Sequence, residues 1–386
     1  MTLGRATGHE SRRRTFVVTP PGLEPIAAAE LAALGLEAEA EPGGLALDAS
    51  AAELYAINLH LRSASRVLVR ISEFRARTFF ELERHAARVP WAEFLDAGRP
   101  VRLRVTSRKS KLYHQRAIEE RLLTAIAAPT AAEEADEETE GEREQLFIVR
   151  FVHDRCVISA DSSGALLHLR GYRQAVARAP LRETLAAAML LSSGWDGVAP
   201  LVDPLCGSGT IPIEAALIAR RVPPGLARAE RAPRRFAFES WPDFDTQAYG
   251  EMVARAREAM LPAAPGRIIG SDRDAGAIAA AEANAARAGV QGDVELSARA
   301  VSAVEEVGSG GWLVTNPPYG VRVGESAGLR DLYATIGKVA QRVVPGGRVV
   351  MLSAERRLEA QVGLRLREVL ATKNGGIPVR VVEGRS

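Results

Sequence analysis

Cysteine is nearly absent: Cys156 and Cys206 are the only two in 386 residues. That excludes a disulfide framework and makes a reducing, cytoplasmic setting the expectation. Histidine is scarce too, and the last of the six is His168. A zinc site of ordinary composition or a histidine-dependent triad beyond that point is not expected. Chemistry there must use carboxylates, amides, backbone groups and a reactive cofactor. No uninterrupted apolar run approaches the length of a membrane span, so no membrane partner is expected. Residues 1–14 are polar and basic without an apolar centre, and read as a disordered tail and not as a secretory signal. The net charge of +2 excludes little, because it averages opposing segments.

What is present has globular character, 47% hydrophobic and 25% charged. The chain is too long for one ordinary core, and two or three domains are expected. Residues 16–19 predict a strand, Pro20, Pro21 and Gly22 a turn, and 23–34 a helix stopped by Gly35. Gly43 and Gly44 before Leu45 and Leu47 suggest a hairpin. Ser50 is the expected cap of a helix carrying Leu54, Ile57 and Leu61. The stretch 66–71 alternates basic and apolar residues, which predicts a strand with one wet, positive face. Residues 78–89 have helical spacing. Val101, Leu103 and Val105 mark another strand, with Arg102 and Arg104 on its other face.

The segment 99–116 holds seven basic residues and no acidic one. Tyr113 and His114 lie among them. Basic side chains beside a stackable ring suit a phosphate backbone and an unpaired base. Arg108, Lys109, Lys111, Tyr113 and Arg116 are therefore candidate nucleic-acid contacts; a solvated strand and loop is the plainer reading. Segment 131–145 differs in kind, with eight acidic residues, Arg143 and no large apolar side chain. A disordered insertion is expected there. Beyond it, 146–151 and 155–160 read as two strands joined at His153 and Asp154.

The C-terminal half is organised around Asp203, Pro204, Leu205, Cys206, Gly207, Ser208, Gly209 and Thr210. An apolar run precedes them and a buried helical pattern follows, so they form a strand–glycine turn–helix corner. Glycines allow close backbone approach, and a helix N-terminus offers unpaired N–H groups to a ligand. A second stretch, Asn316, Pro317, Pro318 and Tyr319, follows another buried apolar run. In an open parallel sheet, ligands bind at such carboxyl strand ends. A proline-rich turn is the bland alternative. Seven strand-like runs occupy 199–203, 267–271, 293–296, 311–315, 347–353, 364–371 and 377–383. Helical spacing separates the first five, as parallel crossovers require. The last two flank Lys373, Asn374, Gly375 and Gly376, a hairpin signal.

Asn316 to Tyr319, a hundred residues beyond a glycine corner, resembles the amino-methylating class I S-adenosylmethionine methyltransferases. The N-terminal order, with Gly22, Leu23 and Glu24, then Glu30 and Leu31, then the stretch 61–67, resembles the THUMP module of RNA-modifying enzymes with its ferredoxin-like partner. Arg170 to Arg173, Pro180 to Thr184, Asp203 to Thr210, Gly270 to Asp274, Asn316 to Gly320 and Lys373 to Gly376 together resemble the bacterial THUMP-containing RNA guanine-N2 methyltransferases. The likeness covers nearly all of the chain beyond residue 14, apart from the acidic insertion. It implies an α/β class I methyltransferase domain at 171–386, Rossmann-like, with a seven-stranded sheet whose last strand is antiparallel. Before it the resemblance implies an α+β ferredoxin-like subdomain at 15–65 and a THUMP domain at 66–170.

That family's chemistry implies S-adenosylmethionine as cofactor, no metal, and RNA as substrate. Pro180, Thr184, Asp203, Pro204, Cys206, Gly207, Ser208, Gly209, Thr210, Asp272, Arg273 and Asn316 are the implied cofactor contacts. Asn316, Pro317, Pro318 and Tyr319 are the implied catalytic loop. Asp203 and Asp272 lie 69 residues apart, which implies an insertion near 221–265. Its arginines and its Phe236, Phe238 and Trp241 suit RNA contact and packing equally. After the third strand, 297–302 carry no carboxylate for the adenine amino group; backbone groups or Ser302 are left. Large-subunit ribosomal RNA is the first substrate expected, transfer RNA the second, and a monomer is expected. A DNA amino-methyltransferase and a non-catalytic ribosome-assembly factor are the rival readings.

Overall fold

The computed structural model describes residues 11–96, 98–126, 144–174, 181–228, 234–319 and 326–386. Fourteen strands occur among them, in two seven-stranded sheets. The first sheet holds β1 (Arg13–Val18), β2 (Glu39–Glu41), β3 (Gly44–Ala49), β4 (Arg66–Arg75), β5 (Val101–Arg108), β6 (Gln145–Val152) and β7 (Arg155–Asp161). Its order is β2-β3-β1-β4-β7-β6-β5. All its pairs are antiparallel except β5 with β6. The ferredoxin-like and THUMP stretches thus share one sheet, because β4 pairs with both β1 and β7. The expected Ser50 cap is a full capping box with Glu53, worth about 1 kcal/mol.

Three details differ from the local reading. Arg13 and Arg14 belong to β1 and not to a tail. The Arg13 guanidinium pairs with Asp243 and lies 5.3 Å from the rings of Phe94 and Trp241, so its charge has a partner within the fold. The β4 face read as wet and positive is neither: Arg66 is buried on Asp161, and Arg70 forks onto Glu41. Glu144 and Gln145 are buried parts of the fold and not of an insertion. Gln145 begins β6, and its side chain bonds Leu146, Asp161 and Trp241. Residues 1–10 and 127–143 lie outside the described residues.

The second sheet holds β8 (Leu201–Asp203), β9 (Ile268–Asp272), β10 (Val294–Ala298), β11 (Trp312–Thr315), β12 (Arg348–Ser353), β13 (Arg367–Asn374) and β14 (Ile377–Arg385). Each overlaps one of the seven expected runs. Its order is β10-β9-β8-β11-β12-β14-β13, parallel from β10 to β12, with β14 antiparallel to both neighbours. The order reverses between β8 and β11, so the ligand crevice of such a sheet lies at their carboxyl ends. Helix Thr210–Ala219 is almost wholly buried against the sheet and helix Ala275–Ala288.

The insertion after β8 packs on the N-terminal module. Phe236, Phe238, Trp241 and Tyr249 join that module's core, and Phe238 stacks on Tyr55 at 4.6 Å. Buried Arg234 donates to the carbonyls of Leu166 and Leu169. Packing therefore accounts for these aromatics and for Arg234, whose sequence suited RNA equally well. Among the described residues, no helix is long and apolar enough to cross a membrane.

Candidate active site

The switch point opens into a cleft of about 1410 Å³. Asp203, Cys206, Gly207, Ser208, Thr210, Asp272, Arg273, Asn316, Pro317, Pro318 and Tyr319 all line it. Two stretches more than a hundred residues apart are thereby brought face to face. Thr184, Pro204 and Gly209 are buried and do not line the cleft, so any part they play is in its walls. Pro180 lies outside the described residues.

The glycine corner is built from both sides. Gly209 closes the turn with φ +86°, and a Cβ there would lie 2.9 Å from Ala281 Cβ. Only glycine meets both demands. Buried Asn284, from the neighbouring helix, donates to the Ser208 carbonyl at 3.0 Å. Asp272 Oδ2 accepts from the Gly207 N–H at 3.1 Å and its Oδ1 from the Asp274 N–H at 3.0 Å. The carboxylate is thus held at the strand end, beside the glycines.

Asp203 is buried, and its Oδ1 accepts from Thr315 Oγ1 at 2.7 Å and from the Leu205 N–H at 3.1 Å. Burial pushes its pKa up to about 7, against the pull of those donors and with a further push from Asp272. A cation seated beside it would restore the carboxylate. Burial raises the Cys206 thiol as well, so it remains protonated and is no nucleophile.

On the opposite lip, Asn316 Oδ1 is buried and, among the described residues, has no hydrogen-bond partner. A buried acceptor without a donor costs about 1–3 kcal/mol, so such an atom at a cleft marks a place for a ligand's N–H. The loop around it is braced: Tyr333 donates to the Pro318 carbonyl at 3.4 Å, and Asn374 donates to the Tyr319 hydroxyl at 2.7 Å. These residues fit S-adenosylmethionine. Asp203 suits its ammonium group, Asp272 its ribose hydroxyls, and the glycine backbone allows close approach. Ala300, Val301 and Ser302 also line the cleft, where no carboxylate was found in sequence.

Several cleft residues escaped the sequence reading. His168 lines the cleft although no histidine lies in the methyltransferase half. Burial first, then Arg182 and other arginines, lower its pKa to about 3, so the ring is neutral. Arg173 and Arg182 line the same wall, and Arg173 pairs with Glu183 at 3.0 Å. Asn374 was legible as a turn residue and as part of the family resemblance, but not as a cleft residue.

Residues 170–382 match the family model described as RMKL-like, methyltransferase domain (UPF0020). The chain belongs to this methyltransferase family. Residues 14–68 match the RlmL ferredoxin-like domain. The fold and family are those of class I, S-adenosylmethionine-dependent methyltransferases. Over 96% of both chains it is 32% identical to a Synechocystis sp. protein named "Putative RNA methyltransferase slr0064". It is 37% identical to the ribosomal RNA large subunit methyltransferase K/L of Syntrophotalea carbinolica, over 95% of this chain and 53% of that protein. The chain spans about half the length of the K/L relatives it matches. A solved Listeria monocytogenes structure, described as "a predicted N6-adenine-specific DNA methylase", superposes with TM-score 0.84 at 30% identity over 96% of both chains. "SMU.472, a putative methyltransferase complexed with SAH", superposes with TM-score 0.85 at 27% identity, over 97% of this chain and 98% of that one.

Proposed function

We propose that this methyltransferase transfers the methyl group of S-adenosylmethionine to the exocyclic N2 amine of a guanine in large-subunit ribosomal RNA. The observation that carries this reading is the orphaned Oδ1 of Asn316 at the switch point. Likeness to the K/L enzymes along nearly the whole chain supports ribosomal RNA as the substrate. When bound, S-adenosylmethionine supplies an electrophilic methyl on a positive sulfonium, which needs no metal.

The chain's own residues then position and exclude. Asp203 holds the ammonium end, and Asp272 with Arg273 flanks the ribose. An exocyclic amine is a poor nucleophile because its lone pair is delocalised into the ring. Asn316 Oδ1 and the Pro317 carbonyl accept its two N–H bonds, which turns the nitrogen toward tetrahedral geometry and aims the lone pair at the methyl. Pro317 and Pro318 stiffen the loop, and Tyr319 stacks on the base. The base must first leave its helix or loop, at about a few kcal/mol. RNA affinity comes from the N-terminal module, where Arg108, Lys109, Lys111, Tyr113 and Arg116 are all exposed. Arg99 and Arg102 are engaged within the fold, on Glu144 and its carbonyl, and are left out of that surface.

An adenine amine would meet the same acceptors, so the product must be measured. Nucleosides from separated RNA classes and from DNA, with and without the gene, are compared by mass spectrometry. Loss of N2-methylguanosine from large-subunit ribosomal RNA is the expected result. A loss confined to transfer RNA, or a change only in methyladenine, would overturn the assignment.

A further inference from the structure

The β13–β14 hairpin has no place in the chemistry described so far, yet its turn reaches the cleft. Gly375 and Gly376 have φ +55° and +86°, and Asn374 pairs with Ile377 across them. Two consecutive positive φ values define the tight two-residue turn that matches strand twist. Asn374 is therefore held on rigid backbone at the first position of that turn. Asn374, Gly375 and Ile377 line the cleft, and Ile377 is 48% exposed.

Asn374 Nδ2 donates to the hydroxyl oxygen of Tyr319 at 2.7 Å, across 55 residues of sequence. Tyr319 is half-buried, packed partly on the methyltransferase core. Packing on one side limits where the ring can tilt, and a hydrogen bond at its far end removes the remaining freedom. Tyr333 braces the same loop through the Pro318 carbonyl, but that contact touches backbone and leaves the ring to turn. Among the described residues, only the Asn374 contact holds the phenol itself.

We infer that Asn374 is a positioning residue: it holds the Tyr319 ring in the plane on which the target base stacks, and so sets the height of the amine over Asn316. The inference rests on the reading of Tyr319 as the stacking surface, whichever base is methylated. Because Asn374 donates, the Tyr319 O–H hydrogen remains available to an acceptor in the cleft. Loss of Asn374 frees the ring, and turnover falls through misplacement while cofactor binding continues. A single neutral hydrogen bond of this kind carries about three- to tenfold in rate.

Two measurements test this. In 3-fluorotyrosine-labelled protein without RNA, the Tyr319 resonance is assigned by its loss in Tyr319→Phe and titrated by fluorine NMR. Burial raises the Tyr319 pKa and the Asn374 donor opposes that rise, so Asn374→Ala should move the titration to higher pH. An unchanged titration would refute the contact. The second is a double-mutant cycle on methyl transfer. Asn374→Ala should lower turnover about three- to tenfold in wild type and hardly at all in Tyr319→Phe. Asn374→Asp keeps a turn-forming side chain that can accept from the phenol, and should recover most of the loss. Equal losses in both backgrounds, or no recovery, would reduce Asn374 to a structural turn residue. If wild type methylates some other base, the guanine assignment fails, but the NMR arm and the cycle stand on that product.

Discussion

Thr315 Oγ1 donates to Asp203 Oδ1 at 2.7 Å, tying together the carboxyl ends of β8 and β11 where the strand order reverses. One residue after Thr315 is Asn316, and four after Asp203 is Gly207. The bond therefore sets the distance between the proposed amine-holding loop and the proposed cofactor corner. It also locates the two functions on different strands, which makes them separable by mutation.

Asn316→Ala should lower turnover about 10²–10³-fold, as loss of one preorganised polar contact does. S-adenosylmethionine affinity should barely change. Asp272→Ala should do the reverse and weaken the cofactor first. Calorimetry and a tritiated-methyl assay on undermodified RNA separate the two. Near-normal turnover in Asn316→Ala would sink the amine-methylation mechanism.

Asp203 sets a pH dependence. Its folded pKa is raised to about 7 by burial, so below that pH the free enzyme holds it protonated. An ammonium group needs the carboxylate. Cofactor affinity should therefore rise with pH up to about 7, roughly tenfold per unit at the low end, and level off above. The sign for stability is opposite. The folded state binds this proton more tightly than the unfolded chain, so Asp203's share of the free enzyme's stability falls as pH rises from the ordinary aspartate value of 3.8 to about 7. Calorimetric titrations across this range check the first statement, and Asp203→Asn should flatten the profile.

Replacing Arg108, Lys109 and Lys111 together should weaken RNA binding and reduce the salt slope of log K by about 2. Cofactor affinity should stay intact, because Arg108 ends β5 of the other sheet and Lys109 and Lys111 lie in the loop that follows it. Filter binding at several salt concentrations is the measurement. An unchanged slope would make this surface merely solvated.

Gln145→Ala should destabilise the protein by about 1–3 kcal/mol, since it strands the buried Trp241 Nε1–H and removes the donor to the Leu146 and Asp161 carbonyls. Deleting 131–143, which carry no large apolar side chain, should leave the melting temperature nearly unchanged. Thermal unfolding of both variants tests where the insertion ends.

Both halves of the site were legible in sequence because they are local devices. Asp203 with its glycines, and Asn316 with its prolines, each follow a buried apolar run, and a strand end followed by a turn is written in adjacent residues. The same periodicity located the seven strands of the catalytic sheet. Tertiary structure decided which charges meet water and which residues join the cleft. Arg13 finds Asp243 across 230 residues, Arg66 finds Asp161 across 95, and His168 reaches a cleft whose motifs all follow it in the chain. Local pattern reports how a side chain prefers to sit on its own strand or helix. Partners this distant meet only once strands and insertions far apart in sequence have come together, and a charge carried into the interior there is tolerated because it is paired and hydrogen-bonded.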